Sequence, residues 1–189
     1  MPQNHPRAVI LMGVAGSGKT AVGIRVAQKL DWIFLDADDF HPATNIEKMK
    51  HGIPLTDQDR APWLQRLRDE LQRQTAEGRS VLLACSALKE SYRQVLRDGV
   101  RPPSFVYLDV DPETIRDRLQ HRTAHFFPKE LMKSQFADLE KPKDALIVDA
   151  RKSLDEVVEQ VLHILALVTK FHQHEIFSVQ YVEAWSQYP

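Results

Sequence analysis

An apolar run, a glycine turn and a Lys-Thr pair, in that order, constrain this chain more than any other feature. "AVILM" (8–12) runs into "GVAGSGKT" (13–20), which fits G-x-x-x-x-G-K-[ST] from Gly13 through Gly18 and Lys19 to Thr20. Three of the chain's seven glycines lie in these eight residues. Glycines let a backbone turn tightly and aim successive N–H groups at one anion. A helix starting there adds roughly half a positive charge at its N-terminus. Lys19 can reach the β- and γ-phosphates of a nucleotide, and the Thr20 hydroxyl suits Mg²⁺. Gly13, Ala15, Gly16, Ser17, Gly18, Lys19, Thr20 and Ala21 are therefore read as an ATP-phosphate cradle. The competing reading is a chance glycine turn, but at average composition such a match arises in a chain this long on the order of 1% of the time.

Apolar runs alternate with helical patterns along the rest of the chain. Strands are expected at Ala8–Met12, Trp32–Asp36, Ser80–Cys85, Phe105–Asp109 and Ala145–Val148. They are short, rich in Val, Leu and Ile, and do not alternate with polar residues, which suits buried parallel strands. Helices are expected from the glycine loop to about Leu30, from about Pro62 to Glu77 before Gly78, and from about Leu88 to Asp98 before Gly99. Asp111 is placed to cap a further helix, with Pro112 in its first turn. Ser153 and Glu156 form a capping box ahead of Val157–Val168. The alternation predicts an α/β fold, three layers, with a five-stranded mostly parallel sheet and helices on both faces.

Residues 38–60 are polar and carry Pro42 and Pro54, and a short helix, about Pro128–Leu139, is expected inside an insertion at 122–142. Long connections of this kind are often lids or binding loops. One domain is expected over 1–170. The segment 171–189, with Phe171, Phe177, Tyr181, Trp185 and Tyr188, is too aromatic for a typical disordered tail. A net charge of −1 gives no sign of a nucleic-acid or anionic-membrane partner. The single cysteine, Cys85, excludes a disulfide framework and fits a reducing, cytoplasmic setting.

The acceptor is a separate question. "FLDADDFHP" places Asp36 and Asp38 two apart, on one side of an extended chain, at the carboxyl end of a strand, where open α/β sheets bind ligands. Asp36 is assigned to Mg²⁺ and Asp38 to orienting an attacking hydroxyl and accepting its proton. Alternatively these acids cap a turn.

"GVAGSGKT", "LDADDFHP", "NIEKMKHGIPLTDQDRAPWL", "CSALKESYRQVLR" and "HFFPKELMKSQFADLEKP" together resemble gluconokinase of the P-loop type, in family order over about residues 8–168. Ala15 and Ala124 depart from the Ser and Gly expected of the family, without removing a side chain needed for chemistry. The resemblance implies a nucleoside-monophosphate-kinase-like fold with a lid. It also implies Mg·ATP-dependent phosphorylation of D-gluconate at its 6-hydroxyl, and a homodimer. It makes Arg60 a candidate for the gluconate carboxylate; otherwise Arg60 pairs with Asp57 or Asp59. Ser86 binds a sugar-acid oxygen or caps the next helix. Lys89 and Arg93, four apart, offer two cations to a polyhydroxy acid or form a solvated helix face. In "RLQHRTAHFF", the resemblance to small P-loop kinases puts Arg118 along the adenine and Arg122 over the transferring phosphates; the alternative is helix C-terminal charge pairing. His41 and His125 touch substrate or pack, and no His or Cys spacing predicts a structural metal. The rival functions are kinases of other small acceptors, such as shikimate, and a non-catalytic ATP-binding module.

Overall fold

A computed structural model describes residues 7–99, 102–120 and 129–172. Five strands, β1 (Ala8–Met12), β2 (Ile33–Asp36), β3 (Val81–Ala84), β4 (Ser104–Asp109) and β5 (Leu146–Asp149), form one sheet in the order β2-β3-β1-β4-β5. Every pairing is parallel, with Ile10 opposite Leu83 on one side and Phe105 on the other. The helices are α1 (Lys19–Leu30), α2 (Ala43–Lys50), α3 (Asp57–Ala76), α4 (Glu90–Arg97), α5 (Pro112–Gln120), α6 (Lys129–Asp138) and α7 (Leu154–His172).

The unbroken apolar strands are explained by two cores, one on each face. Val9, Leu11, Leu82, Val106 and Leu108 point to one side, onto Val22 and Val26 of α1 and Val157, Val158 and Val161 of α7. Ile10, Met12, Val81, Leu83, Phe105 and Tyr107 point to the other, onto Trp63, Leu64 and Leu67 of α3 and Tyr92 and Leu96 of α4. Alternate residues of each strand serve opposite cores, so neither set can be polar. Gly23 lets α1 lie close on the sheet: a Cβ there would fall 2.5 Å from Phe34.

The expected strands all form, with ends shifted by at most one residue. Two helical regions differ from expectation. The third helix begins at Asp57, not Pro62, because a capping box closes its start: Thr56 Oγ1 accepts from the Asp59 N–H and the Asp59 carboxylate accepts from the Thr56 N–H. Pro62 then sits inside the second turn. The polar stretch 38–60 also holds α2, which buries only Asn45 and so shows little apolar periodicity. Asp111 and Ser153–Glu156 cap α5 and α7 as expected. Among the described residues, no helix is long and apolar enough to cross a membrane.

Candidate active site

The glycine loop leaves the end of central strand β1 and becomes α1. Gly13 has φ +146°, and a Cβ there would sit 3.0 Å from both the Leu108 carbonyl oxygen and Ser17 Oγ. Gly16 has φ +82°, and a Cβ would press on Ile115 at 3.0 Å. Backbone conformation and space both demand glycine at these two positions. No side chain caps the N-terminus of α1, which leaves the amides of Lys19, Thr20 and Ala21 directed at the loop. Lys19 Nζ donates to the Gly13 and Val14 carbonyls, both at 3.0 Å, and so lies along the inside of the cradle. Burial pushes the Lys19 ammonium down, opposed chiefly by Asp38.

Thr20 and Asp36 meet across the β1–β2 side of this loop. Thr20 Oγ1 donates to Asp36 Oδ2 at 2.9 Å. The chain does not stay extended after Asp36, as the spacing argument assumes. It folds into a 3₁₀ turn over Ala37–Phe40, and Asp36 Oδ1 accepts from the Asp38 N–H at 3.1 Å. Asp36 is thus both a turn cap and the neighbour of Thr20. Asp38 keeps an open face to solvent, yet the protein crowded around it pushes its carboxyl above the usual range, with Asp36 adding to the shift and Lys19 opposing it. Buried Cys85 also lies here; burial pushes its thiol up to about 12, which makes it inert.

The acceptor side is assembled from three separated segments. His41, just past the 3₁₀ turn, stacks on Trp63 of α3 with ring centroids 4.4 Å apart and planes 11° apart. Trp63 is held from below, its indole N–H donating to the Ala37 carbonyl at 2.7 Å. Asn45 Nδ2 lies 3.5 Å from His41 Nδ1 and donates to the Asp59 carbonyl at 2.8 Å. Burial and then the nearby Arg60 push the His41 imidazole pKa down. Arg60 in turn donates to the Tyr92 hydroxyl at 3.1 Å. The His41 N–H donates to the Asp38 carbonyl at 3.4 Å, so the segment after β2 is tied through Trp63 and Arg60 of α3 to α4.

Lys89 and Arg93 do not share a helix face. Lys89 is the N-cap of α4 and turns to Asp57, with Nζ 2.9 Å from Oδ1. Arg93 is 1% exposed. Its Nη1 donates to the Ala87 and Leu88 carbonyls at 2.9 Å each, and its Nε to Glu90 at 2.9 Å. These bonds hold the loop in which Ala87, without being glycine, adopts φ +43°. The Ser86 carbonyl accepts from the Gly13 N–H at 3.3 Å, so this loop touches the phosphate cradle. On the far side of the cradle, Arg118 Nη2 donates to the Ala150 carbonyl at 2.6 Å and the Lys152 carbonyl at 3.2 Å, and Nη1 lies 3.5 Å from the Ser17 carbonyl. Arg122, His125 and the segment after His172 lie outside the described residues.

Sequence reasoning missed four participants. Trp63 and Tyr92 look like core aromatics in sequence, and they are, but each also presents a face or a hydroxyl to the acceptor side. Gln135 of α6 accepts from the Ala15 N–H at 2.6 Å. Glu140 caps α4 from a distance, accepting from the Glu90 N–H at 2.6 Å, while its own N–H donates to the Leu88 carbonyl at 3.0 Å. Only side-chain types within the quoted blocks hint at the last two.

A parallel sheet of this order, with the glycine loop on its central strand and an acidic pair after the edge strand β2, defines a P-loop kinase fold. A model of the family described as "AAA domain" matches residues 9–142. The chain is 47% identical over 155 residues to the thermosensitive gluconokinase of Escherichia coli (strain K12), covering 80% of this chain and 83% of that one. It is 45% identical over 160 residues to the gluconokinase of Gluconobacter oxydans (strain 621H), covering 83% and 90%. Among solved structures, a gluconokinase from Sinorhizobium meliloti 1021 superposes with a TM-score of 0.83 at 37% identity, over 92% of this chain and 99% of that chain. The chain belongs to the gluconokinase family.

Proposed function

We propose that this protein transfers the γ-phosphoryl group of ATP to the 6-hydroxyl of D-gluconate, giving 6-phospho-D-gluconate and ADP. The observation that carries this reading is the pairing of a glycine-loop cradle that holds Lys19 along its inside with a cationic cluster, Arg60 and Lys89 around Tyr92, suited to a sugar acid. The amides of Lys19, Thr20 and Ala21 and the Lys19 ammonium hold the ATP phosphates, and Arg118 lies along the adenine. Asp38 aligns the acceptor hydroxyl and takes its proton as the O–P bond forms; its raised pKa makes it a better base than an ordinary aspartate. Thr20 Oγ1 and Asp36 Oδ2, hard oxygen donors 2.9 Å apart, fit Mg²⁺, with Asp36 acting through water. The ion supplies neutralisation of phosphate charge. Positioning and charge neutralisation carry most of the rate, because a loose phosphoryl transition state asks little else of a protein.

At the acceptor end, Arg60 and Lys89 receive the gluconate carboxylate, and Ser86 and His41 its hydroxyls. Arg93, consumed by the Ala87 and Leu88 carbonyls, serves by holding the loop that presents Ser86 and Lys89. Arg122 and His125 complete the site when a lid formed by about residues 122–142 closes and excludes water. A homodimer, which rests on the family resemblance, and a cytoplasmic location, which the lone Cys85 fits, belong to the same reading.

The test is ADP release with Mg·ATP against gluconate, related sugar acids, shikimate, nucleoside monophosphates and a blank without acceptor. Gluconate-selective turnover is expected. Turnover only with another acceptor would discard the substrate and keep the chemistry. Nucleotide binding with no acceptor-dependent release would discard the enzyme.

A further inference from the structure

The N-termini of α3 and α4 meet around one carboxylate that belongs to the protein itself. Asp57 accepts from Lys89 Nζ at 2.9 and 3.2 Å and from the Tyr92 hydroxyl, and Arg60 Nη1 lies 3.9 Å away. Both cations also sit over the Tyr92 ring, with Arg60 at 5.6 Å and Lys89 at 5.5 Å from its centroid. The anion is the outermost member of the cluster: its side chain is 64% exposed, against 24% for Arg60 and 26% for Lys89. Such an exposed pairing adds little to fold stability. It does gather two donors onto one pair of carboxylate oxygens with a guanidinium beside them, the arrangement that a carboxylate arriving from solvent requires.

We propose that Asp57 is a resident counter-carboxylate, which holds Arg60, Lys89 and the Tyr92 hydroxyl as one donor set and is displaced by the carboxylate of the incoming acceptor. The proposal rests on the reading of this chain as a kinase of gluconate. Displacement is feasible because Asp57, already at the surface, swings into water and recovers its hydration there. The Tyr92 and Lys89 bonds hold its carboxyl below the usual range, so it stays ionised and competes at every working pH. The exchange also supplies selectivity. A neutral sugar of the same length has no group with which to replace Asp57, so the donors stay closed to it.

Asp57→Asn keeps the shape and removes the charge. Three readouts are needed: the KM for gluconate, the KM for ATP, and the midpoint of a thermal-shift titration with gluconate alone. Removing the competitor is expected to lower the gluconate KM and midpoint by about fivefold and to leave the ATP KM within about twofold. A raised gluconate KM would overturn the proposal, because Asp57 would then be contacting bound acceptor. An unchanged KM and midpoint would also overturn it, leaving a plain surface ion pair. Asp57→Ser is the second variant if the first does not fold, with the same expected direction. If the wild-type protein neither phosphorylates gluconate nor is stabilised by it, the functional reading fails separately. The same titration with acetate then decides the displacement: tighter binding in the variant supports it, and equal binding refutes it.

Discussion

The two ends of the site are built in opposite ways. The phosphate end is one continuous segment, strand β1 through loop to helix α1, whose geometry follows from its own glycines. The acceptor end joins residues 36–41, 57–63 and 86–93, and nearly every functional side chain there is held by a partner far away in sequence. His41 leans on Trp63, Lys89 on Asp57, and the start of α4 on Glu140. A site made of local backbone tolerates change elsewhere. A site made of long-range contacts can be retuned one partner at a time, which suits the half that must tell substrates apart.

That contrast can be broken at four points. Lys19→Met should lower kcat by about 10³-fold while the protein stays folded, because it removes a charge from the cradle without disturbing the loop backbone. Near-normal turnover in a folded variant would refute the cradle assignment. Asp38→Asn should lower kcat by about 10²-fold or more, and the acid limb of the wild-type pH–rate profile should disappear with it.

Asp38→Asn also carries a stability prediction of definite sign. A carboxyl whose pKa is higher in the folded than in the unfolded chain binds its proton more tightly when folded. The ionised group therefore costs stability above the folded pKa, and the cost fades as pH falls below the unfolded value. The variant should melt at a higher temperature than wild type near neutrality, with the gap closing below about pH 4. A lower Tm at neutral pH would contradict the crowding that raises the Asp38 carboxyl.

At the acceptor end the effects should be smaller and more selective. Arg60→Ala should raise the gluconate KM by about tenfold, with the ATP KM within about twofold; equal changes in both would mean the two ends are not separable. The smallest effect is expected where the ends meet, at Cys85. Its thiol is buried and pushed up to about 12, so a thiol reagent at pH 8 should find no reactive group in the native protein and one after denaturation. Rapid native labelling would show that the seam opens in solution.

The same contrast explains what could be read from sequence. The five strands, the glycine loop and the caps at Asp111 and Ser153 are local patterns, and all were legible. Pro62 hides the start of α3 in the sequence, drawing attention from the Thr56–Asp59 box that closes the helix five residues earlier. Spacing alone pairs Lys89 with Arg93. That spacing has meaning only inside a helix, and α4 starts at Glu90 because a carboxylate 50 residues away caps it there. Likewise, Asp36 and Asp38 stand where expected, but a 3₁₀ turn, not an extended strand, brings them together. No periodicity could announce Gln135 on the Ala15 amide, since each lies in an unremarkable local setting.

The distant cap on α4 has a practical consequence for anyone seeking to transplant acceptor preference between relatives. Glu140 donates its N–H to the Leu88 carbonyl and accepts from the Glu90 N–H, and Arg97 at the other end of the same helix ties to Asp144. A chimera that swaps residues 86–97 alone would import a helix whose first turn has lost its lock. The segments 86–97 and 135–144 form a single cassette split by the chain, and a graft should move them as one piece.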